Sequence, residues 1–168
     1  ATFSQSVWFR TTTRRGGDLL GFSDALAGAG TNNDRVVFME NDGKVVFAMR
    51  SSATNATRYA FVRSPYTLRD GRWHQVVATY DGATMALYVD GVSVATTALA
   101  TPQNPGVGYQ RVGYANLVNF YTIFGRNFSG TSAPASYAFA GSVAEAAFHS
   151  TVLSPAQVAA QFAAGLAS

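Results

Sequence analysis

Residues 70–95, DGRWHQVVATYDGATMALYVDGVSVA, decide how the rest of the chain is read. The run 73–80 is β-branched and aromatic, Asp81-Gly82 supplies a turn, and 85–89 is a second run of the same kind, which is the grammar of a hairpin. Alternation places His74, Val76, Ala78 and Tyr80 on one face and Gln75, Val77 and Thr79 on the other, as a half-buried antiparallel strand requires. Asp90-Gly91 turns the chain again, because glycine accepts positive φ and aspartate tolerates it, and 92–96 forms a third strand. The expectation is a three-strand meander in mid-sheet, with Val76, Ala78, Leu87 and Val89 buried and Trp73 packed in the core.

Outward from the meander, the same period recurs. Over 3–12, Ser6, Trp8 and Arg10 alternate with Val7, Phe9 and Thr11. Short strands are expected at 18–22 and 58–62, and 35–40 pairs with 44–49 across Asn41-Asp42-Gly43. Segments 23–33 and 51–57 read as polar loops, and 101–108, with two prolines and two glycines, as an irregular one. Strands follow at 109–114 and 139–148. Between them, 116–137 is long, strand-poor and rich in aromatics, and a connection of that length in a compact domain tends to be functional. Ser154 as N-cap, Pro155 at the first helical position and Gln157 completing a capping box start a terminal helix, with Gly165 expected just past its end. Val158 and Phe162, four apart, give that helix one apolar stripe with which to dock. A chain of 168 residues that is 48% hydrophobic suits one domain over 1–168 with a sizeable core.

Two separated motifs closely resemble the laminin-G-like jelly rolls of the concanavalin-A-like lectin/glucanase superfamily. One is the Asp-Gly, Trp-His, Tyr-Asp-Gly and Leu-Tyr-Val-Asp-Gly series of 70–91. The other is FAGSVAEAAF at 139–148 followed by LSPAQV at 153–158. The resemblance implies an all-β fold: a two-sheet antiparallel jelly-roll sandwich with a short C-terminal helix. Family members carry an acidic residue near the closing strand; here Ala144 follows Val143 while Glu145 is kept. The family's first strand is usually preceded by another, so the chain is expected to be excised from a longer one.

Several function classes find little to work with. There is no cysteine for a disulfide, a thiolate metal site or a nucleophile. Eleven arginines and Lys44 are scattered rather than run together, unlike a nucleic-acid stripe. No apolar run approaches the roughly 18 residues of a membrane span. Of nine carboxylates, four sit in Asp-Gly turns, whereas glycoside hydrolysis needs two acids across one bond. The nearest approach, Glu40-Asn41-Asp42, ends at a turn. His74 reads as a hydrogen-bonded core residue, and no serine sits in a nucleophile elbow.

The expected function is therefore a non-catalytic binding or adhesion module of a larger secreted or surface protein, extracellular, with glycan or glycoprotein as partner. The alternatives are an architectural module packing on a neighbouring domain, or a divergent glycoside hydrolase. The candidate ligand-binding residues are Tyr88, Tyr109, Arg111, Tyr114 and Tyr121, whose rings stack on a pyranose while polar groups meet its hydroxyls. Tyr88 alternates with Leu87 and Val89 and is expected exposed on a concave face. Calcium is held by many members of the resembled superfamily, and Asp24, Asn32 and Asp34 form an oxygen-rich cluster that suits it. The other reading of those residues is turn chemistry alone.

Overall fold

The computed structural model describes residues 2–28, 30–52, 59–117 and 134–167. Among the described residues ten strands run in chain order: β1 Phe3–Arg10, β2 Gly17–Ser23, β3 Asn33–Met39, β4 Val45–Arg50, β5 Tyr59–Arg63, β6 Trp73–Tyr80, β7 Thr84–Val89, β8 Val92–Ala98, β9 Tyr109–Val112 and β10 Ser142–His149. The helix α1, Pro155–Leu166, follows β10. The strands form two antiparallel five-stranded sheets, ordered β10-β1-β6-β7-β8 and β5-β4-β3-β2-β9. This is the jelly-roll sandwich that the resemblance implied, and the meander supplies three neighbouring strands of the first sheet.

The period-two reading explains the core. Val7, Phe9, Val76, Ala78, Tyr80, Leu87 and Val89 from the first sheet meet Leu19, Val37, Met39, Phe47, Met49 and Val62 from the second in one buried cluster. Each such side chain contributes roughly 1.5–3 kcal/mol by leaving water. Tyr80 also buries its hydroxyl, which donates to the Leu99 carbonyl at 2.7 Å, so its polar tip is satisfied.

The other parity of the first sheet faces outward, and α1 covers part of it. Val158 and Leu153 pack on Val77, Ala86 and Tyr88, and Phe162 stacks on Trp8 with ring centroids 5.5 Å apart and planes 13° from parallel. The capping box is present, with Ser154 Oγ accepting from Gln157 N and Gln157 Oε1 accepting from Ser154 N. The helix does not stop before Gly165. It runs through it, because a Cβ there would lie 2.3 Å from Trp8 Cζ2; this glycine permits a close approach rather than ending the helix.

Trp73 also departs from expectation. It shares the outward parity of Gln75 and Val77, beyond the cover of α1, and is 41% exposed with the Arg10 guanidinium 5.3 Å from its ring centroid. His74, inward beside Phe9, is hydrogen-bonded as read: Nδ1 lies 2.8 Å from Asp90 Oδ2 and Nε2 3.1 Å from Asp70 Oδ1.

Candidate functional site

β9 is an edge strand of the second sheet, paired on one side to β2 with Tyr109 opposite Ser23 and Arg111 opposite Gly21. A period of two sets Tyr109 and Arg111 on one face. The Arg111 guanidinium donates to the Gly28 carbonyl at 2.7 Å and lies 5.1 Å from the Tyr114 ring centroid. Tyr114 in turn meets Tyr137 edge to face, 6.5 Å apart at 78°. Segment 134–139 returns to this point: Asp18 N donates to the Tyr137 carbonyl, and Tyr114 bridges to Ala138. The result is a row of Tyr109, Arg111, Tyr114 and Tyr137 along an open edge.

Beneath the row, Asp18 is fully buried, and neither carboxylate oxygen has a hydrogen-bond partner among the described residues. Burial pushes its pKa well above the usual carboxylate range, opposed by the Arg111 charge. Ala115, Leu117 and Tyr137 pack with Val36, Phe38, Val46 and Ala48 on the outer face of this sheet. The described ends of the long segment, whose aromatic content reads as a loop folding over one edge of the sandwich, thus lie across a sheet face, and 118–133 lies outside the described residues.

Three of the five candidate ligand residues come together here: Tyr109, 46% exposed, Arg111 and Tyr114. Tyr121 lies outside the described residues. Tyr88 does not belong to the site. It is on the opposite sheet and 7% exposed, because the outward parity that was read as a concave surface is the one α1 covers. Tyr137 was legible only as one aromatic among several in a long segment; its partner Tyr114 lies 23 positions away, and no local pattern joins them.

The calcium candidates share a neighbourhood, but of their carboxylate and amide oxygens only the buried Asp34 Oδ2 has no hydrogen-bond partner among the described residues. Asp24 spends both carboxylate oxygens on Thr31, accepting from its N at 2.9 Å and its Oγ1 at 2.5 Å. Asn32 Oδ1 accepts from Arg50 Nη1. Asp34 Oδ1 accepts from the backbone N of Arg35 and of Arg50, both at 2.7 Å, which caps β4 where the ladder breaks. Burial raises Asp34 to about 6. Calcium wants six to eight accessible oxygens, and a site flanked by Arg35 and Arg50 does not fit it as arranged. Among the described residues no group of three His, Cys, Asp or Glu is placed to hold a metal.

The acids nearest to a hydrolase pattern are tied to one arginine. Arg63 Nε donates to Glu40 Oε2, and Arg63 Nη2 to Asp42 Oδ2 at 2.6 Å. Burial raises Glu40 to about 7, against the pull of Arg63.

Two packed antiparallel five-stranded sheets with a docked terminal helix define a jelly-roll sandwich. The chain belongs to the concanavalin A-like lectin/glucanases superfamily, whose laminin-G-type model matches residues 1–159. No curated protein matches its sequence. Among solved structures, the Ruminococcus gnavus IT-sialidase CBM40 bound to α2,3-sialyllactose is 20% identical with a TM-score of 0.68, over 96% of this chain and 82% of that one. A SAP-like pentraxin from Limulus polyphemus is 14% identical with a TM-score of 0.58, over 94% and 68%. The botulinum neurotoxin type G receptor binding domain is 9% identical with a TM-score of 0.64, over 98% and 38%. Likeness at these identities establishes the fold.

Proposed function

We propose that this chain is a non-catalytic glycan-binding module of a secreted or surface protein, and that the edge row of Tyr109, Arg111 and Tyr114 is where it meets sugar. The observation that carries the reading is Tyr109, a half-exposed ring on a strand that lies at a sheet edge among the described residues, in line with an arginine already stacked on a second ring. Aromatic faces take the apolar face of a pyranose, and such exposed platforms bind weakly, at about millimolar to micromolar Kd, or roughly −4 to −8 kcal/mol. The structural likeness to a CBM40 seen with sialyllactose supports the class. No described helix is long and apolar enough to cross a membrane.

A glycan array followed by titration of the best ligand tests the reading. Tyr109→Ala and Tyr114→Ala should each weaken retention several-fold while leaving the melting temperature nearly in place for Tyr109→Ala. Full binding by both variants would remove the site. The second reading is a module that packs on a neighbouring domain, favoured by Leu26, Val107 (96% exposed) and Val112 as exposed apolar side chains on β9 and on nearby loops. It predicts no glycan retention by the parent chain at all.

A further inference from the structure

The first sheet has a hollow where α1 crosses β1 and β10, about 460 Å³ in volume, which is room for a small organic ligand. Three of its lining residues carry a buried polar atom with no hydrogen-bond partner among the described residues: Gln75 Oε1, His149 Nε2 and Gln161 Oε1. Gln75 is 4% exposed, and a buried polar atom without a partner is destabilising. The three come from β6, β10 and α1, elements far apart in the chain, yet they converge on one space.

Glu145 stands at the same hollow and also lines an adjoining one of about 370 Å³ that reaches Trp73, the two sharing Trp8 and Gly165. It is held there by a bulge. The register between β1 and β10 slips by one residue between Ser6 and Trp8, and Glu145 takes φ 51°, a left-handed backbone that is unfavourable for a side chain with a Cβ. Bulges re-aim side chains and are frequent beside binding sites. Neither hollow is lined by a lysine or an arginine. The wall is thus two amide oxygens and an imidazole nitrogen able to accept, one carboxylate, and indole surface.

We propose that this crevice is a second binding site, and that its ligand is a small organic cation carrying a primary ammonium or a guanidinium. Such a head donates several N–H bonds at once, which matches the orphan acceptors; its charge is met by Glu145, and its carbon stem lies along Trp8, Trp73 already carrying the Arg10 guanidinium over its ring. The volume exceeds what a bare metal ion fills. An acidic ligand is opposed by Glu145.

The test uses the chain's own reporters, since Trp8 and Trp73 are its two tryptophans and both line the crevice. Intrinsic tryptophan fluorescence is followed while putrescine or agmatine is added, with 1,4-butanediol and calcium chloride as controls. A saturable change with the amines, at least tenfold weaker with the diol, is expected. Glu145→Gln, at an exposed position that leaves the fold intact, should weaken amine binding at least tenfold, and Gln161→Leu several-fold. Tyr109→Ala should leave the amine response unchanged, which separates this site from the edge row. Equal response to the diol, a response to calcium alone, no response to any probe, or full binding by Glu145→Gln would each overturn the proposal. Gln75→Leu gives an independent reading: if the hollow holds only water, the variant melts higher with no amine response to lose, and the proposal fails.

Discussion

Asp34, Glu40 and His74 all hold their protons more tightly in the folded chain than in the unfolded one. Burial is the main cause for the two acids, and the hydrogen bond to Asp90 for the histidine. Linkage then sets the sign: a raised folded pKa contributes stability that is complete below the unfolded value and is lost as pH rises through the folded one. The windows are 3.8 to about 6 for Asp34, 4.5 to about 7 for Glu40, and above 6.5 for His74. The melting temperature should therefore fall from about pH 4.5 to about pH 7, and further as pH rises through the His74 transition, contrary to ordinary acid sensitivity. Glu40→Gln should flatten the slope between about pH 5 and 7. Scanning fluorimetry across buffers reads both, and a melting temperature that climbs over that range would contradict them. The two tryptophans give a second contrast. Trp8, buried under Phe162, should lose about 3–5 kcal/mol on replacement by Ala, and half-exposed Trp73 less than about 1.5 kcal/mol. Chemical denaturation separates them. The sequence reading puts Trp73 in the core and Tyr88 on an exposed face, whereas the pairing of β1, β6 and β7 sets Trp8, Trp73 and Tyr88 on one face. Which of them is covered is decided by where a helix beginning at residue 155 docks, and local alternation carries no record of that.

At the scale of the element, α1 is the piece most plainly written in sequence and yet misread at its end. Ser154→Ala removes one half of the capping box and should cost about 1 kcal/mol. Gly165 is the sharper case. In a free helix, Gly→Ala stabilises by about 1 kcal/mol, but here the new Cβ would meet Trp8 at 2.3 Å, so the change should destabilise by about 1–3 kcal/mol. The sign of the shift in denaturation midpoint distinguishes a helix stop from a contact point. Strand existence was legible almost throughout, because a half-buried strand needs alternation. Strand ends were less so. β3 begins at Asn33 rather than 35 because pairing with β2 extends it across the irregularity at Arg35, whose φ is 52°, and pairing belongs to the partner strand. The candidate site was half legible: Tyr109, Arg111 and Tyr114 are close in sequence, whereas Tyr137 and the buried Asp18 reach them only through the tertiary fold.

For the whole molecule, the sandwich leaves two outer faces with different covers, α1 on the first sheet and the 114–117 and 134–138 stretches on the second. The core between them joins residues of both sheets in one cluster, so a ligand bound to the folded form at any site stabilises the whole by mass action. That makes melting a direct test of calcium. An ion present at 100 times its Kd would add about 2.7 kcal/mol, which for a chain of this size is roughly 5–10 °C in melting temperature. The oxygens of Asp24 and Asn32 are already taken by Thr31 and Arg50, and Asp34 is buried with Oδ1 held by the backbone of Arg35 and Arg50, which leaves Oδ2 alone without a partner among the described residues. Removing calcium with a chelator, from protein first dialysed against millimolar calcium, should leave the transition where it was. A drop of several degrees that calcium alone restores would show that the loop rearranges to free those oxygens, and the arrangement of Arg50 against Asn32 would then be the state that calcium displaces.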